Sequence, residues 1–417
     1  MQLLSMVGCI LGKSYANLKQ QAGVKLRVLV IGGYGNFGTR IAAGLMRVGG
    51  LEVVIVGRNA ARAKKTAQHL GAEHAELDVQ AGQLAAGLVH IGGDVIVSAV
   101  GPFQQDDYRL ARAAIDAGMH YVDISDSRRH VCGIIQLDRA ARERGVMVVS
   151  GASSVPALSS AVIDASVDKF SVLSEVDYGI SASELTPGLA AVKATLSYCG
   201  QPIPGWQEGQ RQTLHGWAGW SRFRFAAPMN QRWLALCDVP DLDLFPVRYP
   251  QLKKLEFRAG VAMWPTLLGL GLLSSAVRLG ICKSVERLAP VLMRVAATLE
   301  PFGSGHSGMY VRMKGVDRRG RTVEKVWQLV AQDNEGSDVP CMGAVALVRR
   351  FSRCGIPGAG AMPCVGLLSL DDYLNELTEL NVEVTESTRI IVGDTSEQVS
   401  ALSAKAYRNA GRTELSR

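Results

Sequence analysis

Three glycines near the N-terminus have the spacing of a phosphate-binding turn. Gly33, Gly35 and Gly38 stand in GxGxxG register within VLVIGGYGNFGTRIA, after an apolar run and before an amphipathic segment. Such glycines allow a tight turn, the close approach of a pyrophosphate, and close packing of helix on strand. The N-terminus of the helix offers free N–H groups to the phosphates. The residues predicted to bind a dinucleotide here are Gly32, Gly33, Tyr34, Gly35, Asn36, Phe37 and Gly38.

The end of the following strand bears on which dinucleotide is bound. NAD-binding folds usually place a carboxylate there to hold the ribose hydroxyls. This chain has Gly57, Arg58 and Asn59 instead, and its Glu52 lies at the other end of the strand. An arginine suits the 2′-phosphate of NADP because its guanidinium donates two parallel hydrogen bonds. The pattern favours NADP, with NAD binding and a merely solvated Arg58 as the alternatives.

Later strands end in further polar or small residues, and ligands of open α/β sheets bind beyond the carboxyl ends of strands. Tyr121 and Asp123 are candidate catalytic residues. The Asp123 carboxyl could donate a proton or hold a substrate ammonium, and capping of the next helix is the alternative. The residues predicted to complete the cofactor site are Asp78, Val79, Val100, Gly101 and Pro102. Those predicted to contact a substrate are Ser98, Ser125, Asp126, Ser150, Gly151 and Ser153.

Further along the chain, three side chains could serve the same chemistry. His306 stands in a glycine-rich loop, GSGHSGMY, and an imidazole can transfer protons near neutral pH. A loop histidine that only forms hydrogen bonds is the alternative. Arg222 and Arg224 alternate in SRFRF, so on a strand they share one face and could clamp a carboxylate. A solvated strand face explains the two arginines equally well.

The glycine turn needs a strand before it and a helix after it, and the surrounding pattern predicts both. Short β-rich runs alternate with amphipathic segments from residue 24 to about 150, which implies a doubly wound parallel sheet of the Rossmann type. The predicted strands cover 26–31, 51–56, 75–79, 94–100, 120–124 and 146–149. The predicted helices cover 36–48, 60–70, 108–117 and 130–144.

Beyond Gly151 the pattern changes, and a second α+β domain with a mixed or antiparallel sheet is predicted. Strand-like stretches cover 175–183, 190–198, 309–314 and 322–331, and a helix over 339–350 is predicted to return to the first domain. The expected organisation is a leader over 1–24, a dinucleotide-binding domain over 25–155, a substrate domain over 156–338, a returning segment over 339–380 and a polar tail over 381–417.

Composition excludes several classes of protein. The 417 residues carry a net charge of +7 without a block of like charge, so a nucleic-acid partner is not expected. The eight cysteines form no CxxC or Cys/His cluster, which argues against a metal site and for a reducing, cytoplasmic compartment. The expected partner is a small-molecule substrate.

One apolar stretch complicates a purely soluble interpretation. Residues 259–277 (AGVAMWPTLLGLGLLSSAV) carry no charge over nearly the length that spans a bilayer. Pro265 and the small residues argue against a span. We therefore expect a buried or interface helix, and a peripheral membrane contact is the alternative.

Several of these segments together resemble the saccharopine dehydrogenase-like family. They are SAVGPF, AAIDAGMHYVDISDSR and GVMVVSGASSVPALSSAVID, in order and spacing over residues 26–165. DNEGSDVPCMGAVAL and GAMPCVGLLSLDDYL resemble the tails of uncharacterised bacterial members. The resemblance implies a Rossmann domain, an inserted mixed-sheet catalytic domain, a pyridine-nucleotide oxidoreductase and a homodimer.

The resemblance also implies a reaction at a C–N or C=N bond, because characterised relatives reduce an imine or run the reverse oxidation. It places Ser98, Gly101, Asp123, Ser150 and Gly151 around the substrate. The cysteines of amino-acid-binding relatives are replaced here by small residues without a thiol, which puts saccharopine itself in doubt as the substrate. An enoyl or lipid reductase at a membrane and a non-catalytic NADP(H) redox sensor are the alternatives.

Overall fold

The structure is a computed structural model that describes residues 25–105, 107–183, 189–261, 264–299 and 303–391. The chain divides into two compact units. Unit 1 takes the chain up to Leu158 together with Asp338–Leu368, and unit 2 takes Ser159–Ser337 and the described residues from Ser369 onward. The predicted leader, and the predicted polar tail beyond residue 391, lie outside the described residues.

Unit 1 begins with strands and helices in strict alternation, as the sequence pattern predicts. LRVLVI of the first strand is buried almost throughout, which suits a parallel strand covered on both faces. The elements are β1 (Leu26–Ile31), α1 (Asn36–Val48), β2 (Leu51–Gly57), α2 (Ala60–Leu70), β3 (Glu73–Glu76), α3 (Leu84–Ile91), β4 (Val95–Ser98), α4 (Arg109–Asp116), β5 (His120–Asp123), α5 (Arg128–Gly133), α6 (Asp138–Arg144) and β6 (Met147–Ser150).

Unit 2 is built on longer strands that form a mixed sheet. Its elements up to residue 331 are α7 (Ser159–Val167), β7 (Phe170–Ala182), α8 (Leu189–Ser197), β8 (Pro202–Gln207), β9 (Gln210–His215), β10 (Ser221–Arg224), β11 (Gln231–Leu236), α9 (Asp241–Arg248), β12 (Lys254–Val261), α10 (Trp264–Arg278), α11 (Ala289–Leu299), β13 (Ser307–Asp317) and β14 (Thr322–Ala331). Strands β7 and β12 pair in parallel, whereas β13 pairs antiparallel with both β7 and β14.

The last described segment, from residue 338 to residue 391, contributes elements to both units. Helix α12 (Val339–Cys354) and strand β15 (Gly360–Pro363) return to unit 1, and α13 (Leu370–Leu374) and β16 (Val382–Ile390) belong to unit 2. The α12 helix packs on α1, since a Cβ at Gly44 would lie 2.8 Å from Val345 Cγ2. The parallel sheet therefore has seven strands, in the order β15-β6-β5-β4-β1-β2-β3. The mixed sheet has nine, with β10-β11-β12-β7-β13-β14-β16 as its main path.

Three predicted segments differ from the structure, for local reasons. The strand-like stretch 190–198 is helix α8, whose Val192 and Leu196 are buried four residues apart, the spacing of one helix face. The polar tail predicted from residue 381 opens with strand β16, where Val382 and Val384 alternate inward along the edge of the sheet. The helix predicted over 130–144 is also divided, by a 3₁₀ turn at Ile134–Leu137.

The apolar stretch 259–277 is not one helix. Its first residues end strand β12, residues 262 and 263 lie outside the described residues, and the rest forms α10 of 15 residues. Throughout the part of the chain that the structure describes, no helix is long and apolar enough to cross a membrane.

Candidate functional site

The glycine turn between β1 and α1 has a backbone that only glycine can form. Gly32 has a φ of +77°, so the left-handed residue of the turn lies one position before the GxGxxG register. A Cβ at Gly38 would lie 2.1 Å from the carbonyl oxygen of Gly32, because helix and strand approach closely there. Helix α1 starts after Gly35 without a side-chain cap, so its first N–H groups point to an open end. This cradle fits a pyrophosphate.

Backbone hydrogen bonds attach the turn to β2. The N–H groups of Gly32 and Gly33 both donate to the carbonyl of Val56, at 2.8 and 3.2 Å. The N–H of Gly35 closes the turn by donating to Gly32 O at 2.8 Å. The turn is therefore held next to the carboxyl end of β2, where the ribose of a dinucleotide lies in this type of fold.

The carboxyl end of β2 is basic and aromatic. Arg58 is exposed immediately after the strand, and Asn59 caps α2 by accepting a hydrogen bond from Arg62 N at 2.9 Å. The Tyr34 hydroxyl accepts from Asn59 N at 3.2 Å, and the Arg62 guanidinium lies 4.6 Å from the centre of the Tyr34 ring. Gly57 makes room for this ring, since a Cβ there would lie 2.4 Å from Tyr34 Cε1. Arg62 thus lies over the Tyr34 ring, and exposed Arg58 directly precedes the residue whose N–H donates to the Tyr34 hydroxyl.

The other predicted cofactor residues lie in loops beside this turn. The N–H of Leu77 donates to Gly57 O at 3.2 Å, which places exposed Asp78 and half-buried Val79 near the end of β2. After β4, a Cβ at Gly32 would lie 3.0 Å from Val100 Cγ2. The glycine turn and the Val100–Gly101–Pro102 loop therefore meet where the strand order reverses between β1 and β4, the usual ligand position of such sheets.

Three small or acidic residues end neighbouring strands side by side. In the β4–β5 register Ser98 stands opposite Asp123, and the Ser150 hydroxyl of β6 donates to Asp123 Oδ1 at 2.8 Å. All three side chains are buried. The sequence predicted this convergence because carboxyl ends of parallel strands meet at one edge.

Asp123 is the centre of a hydrogen-bond network in these loops. Its Oδ1 also accepts from the backbone N–H groups of Ser125 and Gly151, at 3.0 and 2.9 Å. Its Oδ2 lies 3.1 Å from His130 Nε2. The alternative that Asp123 caps the next helix was wrong, because Ser127 is the N-cap of α5 and accepts from His130 N. One carboxylate thus connects the loops after β5 and β6 with α5.

His130 was missed by the sequence analysis. Its ring stacks on Tyr108, with centroids 4.7 Å apart, and lies 5.1 Å from the ring of Phe103. The Tyr108 hydroxyl donates to the His130 carbonyl oxygen at 3.0 Å. One signal in the sequence could have revealed its contact with Asp123: the histidine follows the strand-ending aspartate by seven residues and lies on the first turn of the next helix.

The remaining predicted residues of unit 1 differ in exposure. Tyr121 belongs to the apolar core, with 1% of its surface exposed. Ser125 and Ser153 are buried, whereas Asp126 is exposed. The structure therefore brings Ser125 to the Asp123 network and leaves Tyr121 among core side chains.

The predicted residues of unit 2 lie on two elements. His306 immediately precedes β13, and its backbone N–H donates to Ser304 Oγ at 3.4 Å. Arg222 and Arg224 are both exposed on β10, and the Arg222 guanidinium lies 4.1 Å from the ring centre of Trp233. Their roles stay predictions. Among the side chains that the structure describes, no group of three or more His, Cys, Asp or Glu is placed to hold a metal ion.

Comparison with known proteins identifies the domain that contains the glycine turn. Residues 28–149 match the saccharopine dehydrogenase NADP binding domain family. No curated protein sequence matches the chain. The fold is similar to apo saccharopine dehydrogenase (L-Glu forming) from Saccharomyces cerevisiae, with TM-score 0.64 and 15% identity over 87% of this chain and 99% of that one. It is also similar to homospermidine synthase from Legionella pneumophila in complex with NAD, with TM-score 0.56 and 10% identity over 89% of this chain and 94% of that one.

The domain match and the geometry of the turn lead to the same assignment. The matched residues run from β1 to β6, so they contain the glycine cradle, the basic end of β2 and Asp123. A nicotinamide dinucleotide, when bound in such a domain, would supply the hydride for a redox reaction. Residues 28–149 therefore form a nicotinamide dinucleotide-binding domain of the saccharopine dehydrogenase NADP binding domain family.

Proposed function

We propose that the protein uses NADP(H) to transfer hydride at a C–N or C=N bond of a small-molecule substrate. The observation that carries the proposal is the meeting of the glycine turn with the loops after β4, β5 and β6 at one edge of the parallel sheet. The two neighbouring folds belong to a dehydrogenase of saccharopine and a synthase of homospermidine, both compounds with secondary amines. That chemistry supports an imine or amine as the reacting group here.

The preference for NADP rests on charge at the end of β2. Arg58 directly follows β2, the Arg62 guanidinium lies over the Tyr34 ring, and no carboxylate stands at the positions directly after the strand. A guanidinium can donate bidentate hydrogen bonds to a 2′-phosphate, whereas a ribose 2′-hydroxyl gains little from a cation. The arrangement therefore supports NADP over NAD.

Asp123 acts in this proposal as a positioning residue. Both its oxygens already have partners, and its side chain is fully buried. The carboxylate holds the Ser150–Gly151 backbone and the Ser125 loop at fixed positions, which shapes the surface that a substrate meets. Hydride transfer to an imine needs alignment and one proton, so rigid loops contribute directly to the rate. His306, Arg222 and Arg224 stay candidates for contacting the substrate, and a homodimer stays a prediction.

The proposal is tested by following NADPH absorbance with three panels of substrates: amines mixed with carbonyl compounds, ketones alone, and enoyl thioesters. Oxidation of NADPH only when amine and carbonyl are both present would support the C–N assignment. Turnover of the enoyl panel alone would replace it with a lipid reductase. Tight NADPH binding without turnover in any panel would indicate a redox sensor.

A further inference from the structure

Exposed apolar side chains are concentrated in one segment of unit 2. Of the 15 large hydrophobic side chains exposed among the described residues, eight lie between residues 264 and 295. Soluble proteins scatter such side chains singly, and a concentration of them marks a contact surface. They are Trp264, Leu268, Leu272, Leu279, Ile281, Leu288, Val291 and Val295.

Helix α10 is apolar on two opposite faces. Leu267, Leu270 and Ser274 are buried against unit 2. Trp264 and Leu272 point the other way, and each is 64% exposed. Because Trp264, Leu268 and Leu272 follow at intervals of four, they form one stripe along the helix. Packing within the unit accounts for the first face only.

A groove runs beside this stripe. It has a volume of about 310 Å³ and lies between the loop of Trp217 and Trp220 and helix α10. Leu268 and Leu272 line its helical wall, and Arg278 stands at the end of that wall. The groove therefore has leucines on one wall and a guanidinium at the end of that wall. These groups complement the acyl chains and the phosphate of an anionic lipid.

The charges of the segment have one dominant sign. Residues 264–299 carry four basic side chains and a single acid, Glu286. Exposed Arg287 lies just before α11, and exposed Arg294 lies on α11 close in sequence to Val291 and Val295. A twofold contact between two copies places the same patch opposite itself, so these cations would repel each other. An anionic occupant instead gains from each of them.

We propose that the segment 264–299, here called the α10–α11 surface, docks on an anionic lipid bilayer. Trp264 and the leucine stripe enter the boundary between headgroups and acyl chains, and the arginines contact lipid phosphates. Such a segment lies on a membrane instead of crossing it. This surface is independent of the reaction proposed above.

The test uses the full-length protein and vesicles of phosphatidylglycerol mixed with phosphatidylcholine. We expect the protein to co-sediment with them, to be released by salt, and to bind pure phosphatidylcholine weakly. The double variant Arg287→Gln/Arg294→Gln should lower the partition coefficient by roughly fivefold per charge removed. The variant Trp264→Ser/Leu272→Ser should lower it by about tenfold or more, since apolar burial is lost.

The matched control is Val247→Ser, which removes an 83% exposed valine of α9 from the same unit and should leave binding unchanged. NADPH affinity of every variant reports whether the chain is folded. Equal binding to charged and neutral vesicles, or no binding to either, would overturn the proposal. Sedimentation velocity supplies the other refuting result: a dimer that Trp264→Ser/Leu272→Ser dissociates would make this face an interface between copies.

Discussion

The Oδ2 atom of Asp123 lies 3.1 Å from Nε2 of His130, and both side chains are almost completely inaccessible to solvent. The pair joins the end of β5 to the first helical turn that follows it. Because the other oxygen of Asp123 accepts hydrogen bonds from the loops after β5 and β6, the pair connects α5 to the edge of the sheet where we propose that ligands bind.

Loss of the histidine should therefore loosen the site. We expect His130→Leu to lower the free energy of unfolding by about 3 kcal/mol, since a buried carboxylate oxygen loses its partner. His130→Gln keeps an N–H group on the side chain, so its free energy of unfolding should fall by less. Urea unfolding of the two variants measures the difference. Equal losses would mean that only packing against Tyr108 matters.

The glycine cradle gives a steric prediction. Gly38→Ala should reduce NADPH affinity by more than about tenfold, because the new methyl group would meet the carbonyl oxygen of Gly32 at 2.1 Å. Isothermal titration with NADPH measures the affinity. Gly82→Ala is the control, since a Cβ at Gly82 has no neighbour within 4 Å. Unchanged affinity of Gly38→Ala would remove the turn from the cofactor site.

Arg58 gives a prediction about cofactor choice. Arg58→Asp should weaken NADPH binding by about tenfold to a hundredfold and leave NADH binding equal or stronger, because a phosphate loses a bidentate cation and a ribose gains an acceptor. Titrations with both nucleotides give the ratio of affinities. Arg139→Asp, a substitution of equal charge change at a 91% exposed side chain of α6, should not alter the ratio. An unaltered ratio in Arg58→Asp contradicts the NADP assignment.

His120 makes stability depend on pH. It is buried in β5, and its Nδ1 accepts from Met147 N at 2.9 Å. Burial lowers the pKa of His120 from 6.5 to about 4. Between these values the unfolded chain binds the extra proton and the folded chain does not, so the stability present above pH 6.5 is lost as pH falls.

In His120→Asn the amide oxygen can replace Nδ1 as acceptor. Between about pH 7 and pH 5 we expect the free energy of unfolding of this variant to fall by about 2 kcal/mol less than that of the parent protein. Urea unfolding at the two pH values measures this difference between the proteins. Parallel pH dependence of parent and variant would show that His120 does not titrate across that window.

Elements whose signal is local were predictable from sequence. β1 and the glycine turn are read from one apolar run and three glycines, and the convergence of Ser98, Asp123 and Ser150 follows from parallel strands alone. The contact of Asp123 with His130 depends on the path of an intervening loop, which no periodicity reveals. Strand β15 was missed because GAMP has neither alternation nor β-branched residues.

The sequence of helix α8 is compatible with two types of secondary structure. Its sequence LAAVKATLS combines alanines and leucines that favour a helix with a length that also suits a strand, and the burial of Val192 and Leu196 decides for the helix. In β16 the charged and hydroxyl side chains belong to the exposed side of an edge strand, so a segment predicted only as part of a polar tail begins with a strand.

The return of α12 and β15 to unit 1 has a consequence for synthesis of the chain. The edge strand of the parallel sheet and the helix that covers α1 are translated only after all of β7–β14. On a ribosome, β6 therefore lacks its neighbour β15 and α1 lacks its cover α12 until about 200 further residues have emerged. Contacts between parts so distant in the chain form slowly and leave the nascent protein prone to aggregation. An excised cofactor domain would need residues 338–368 rejoined to residue 158 by a linker.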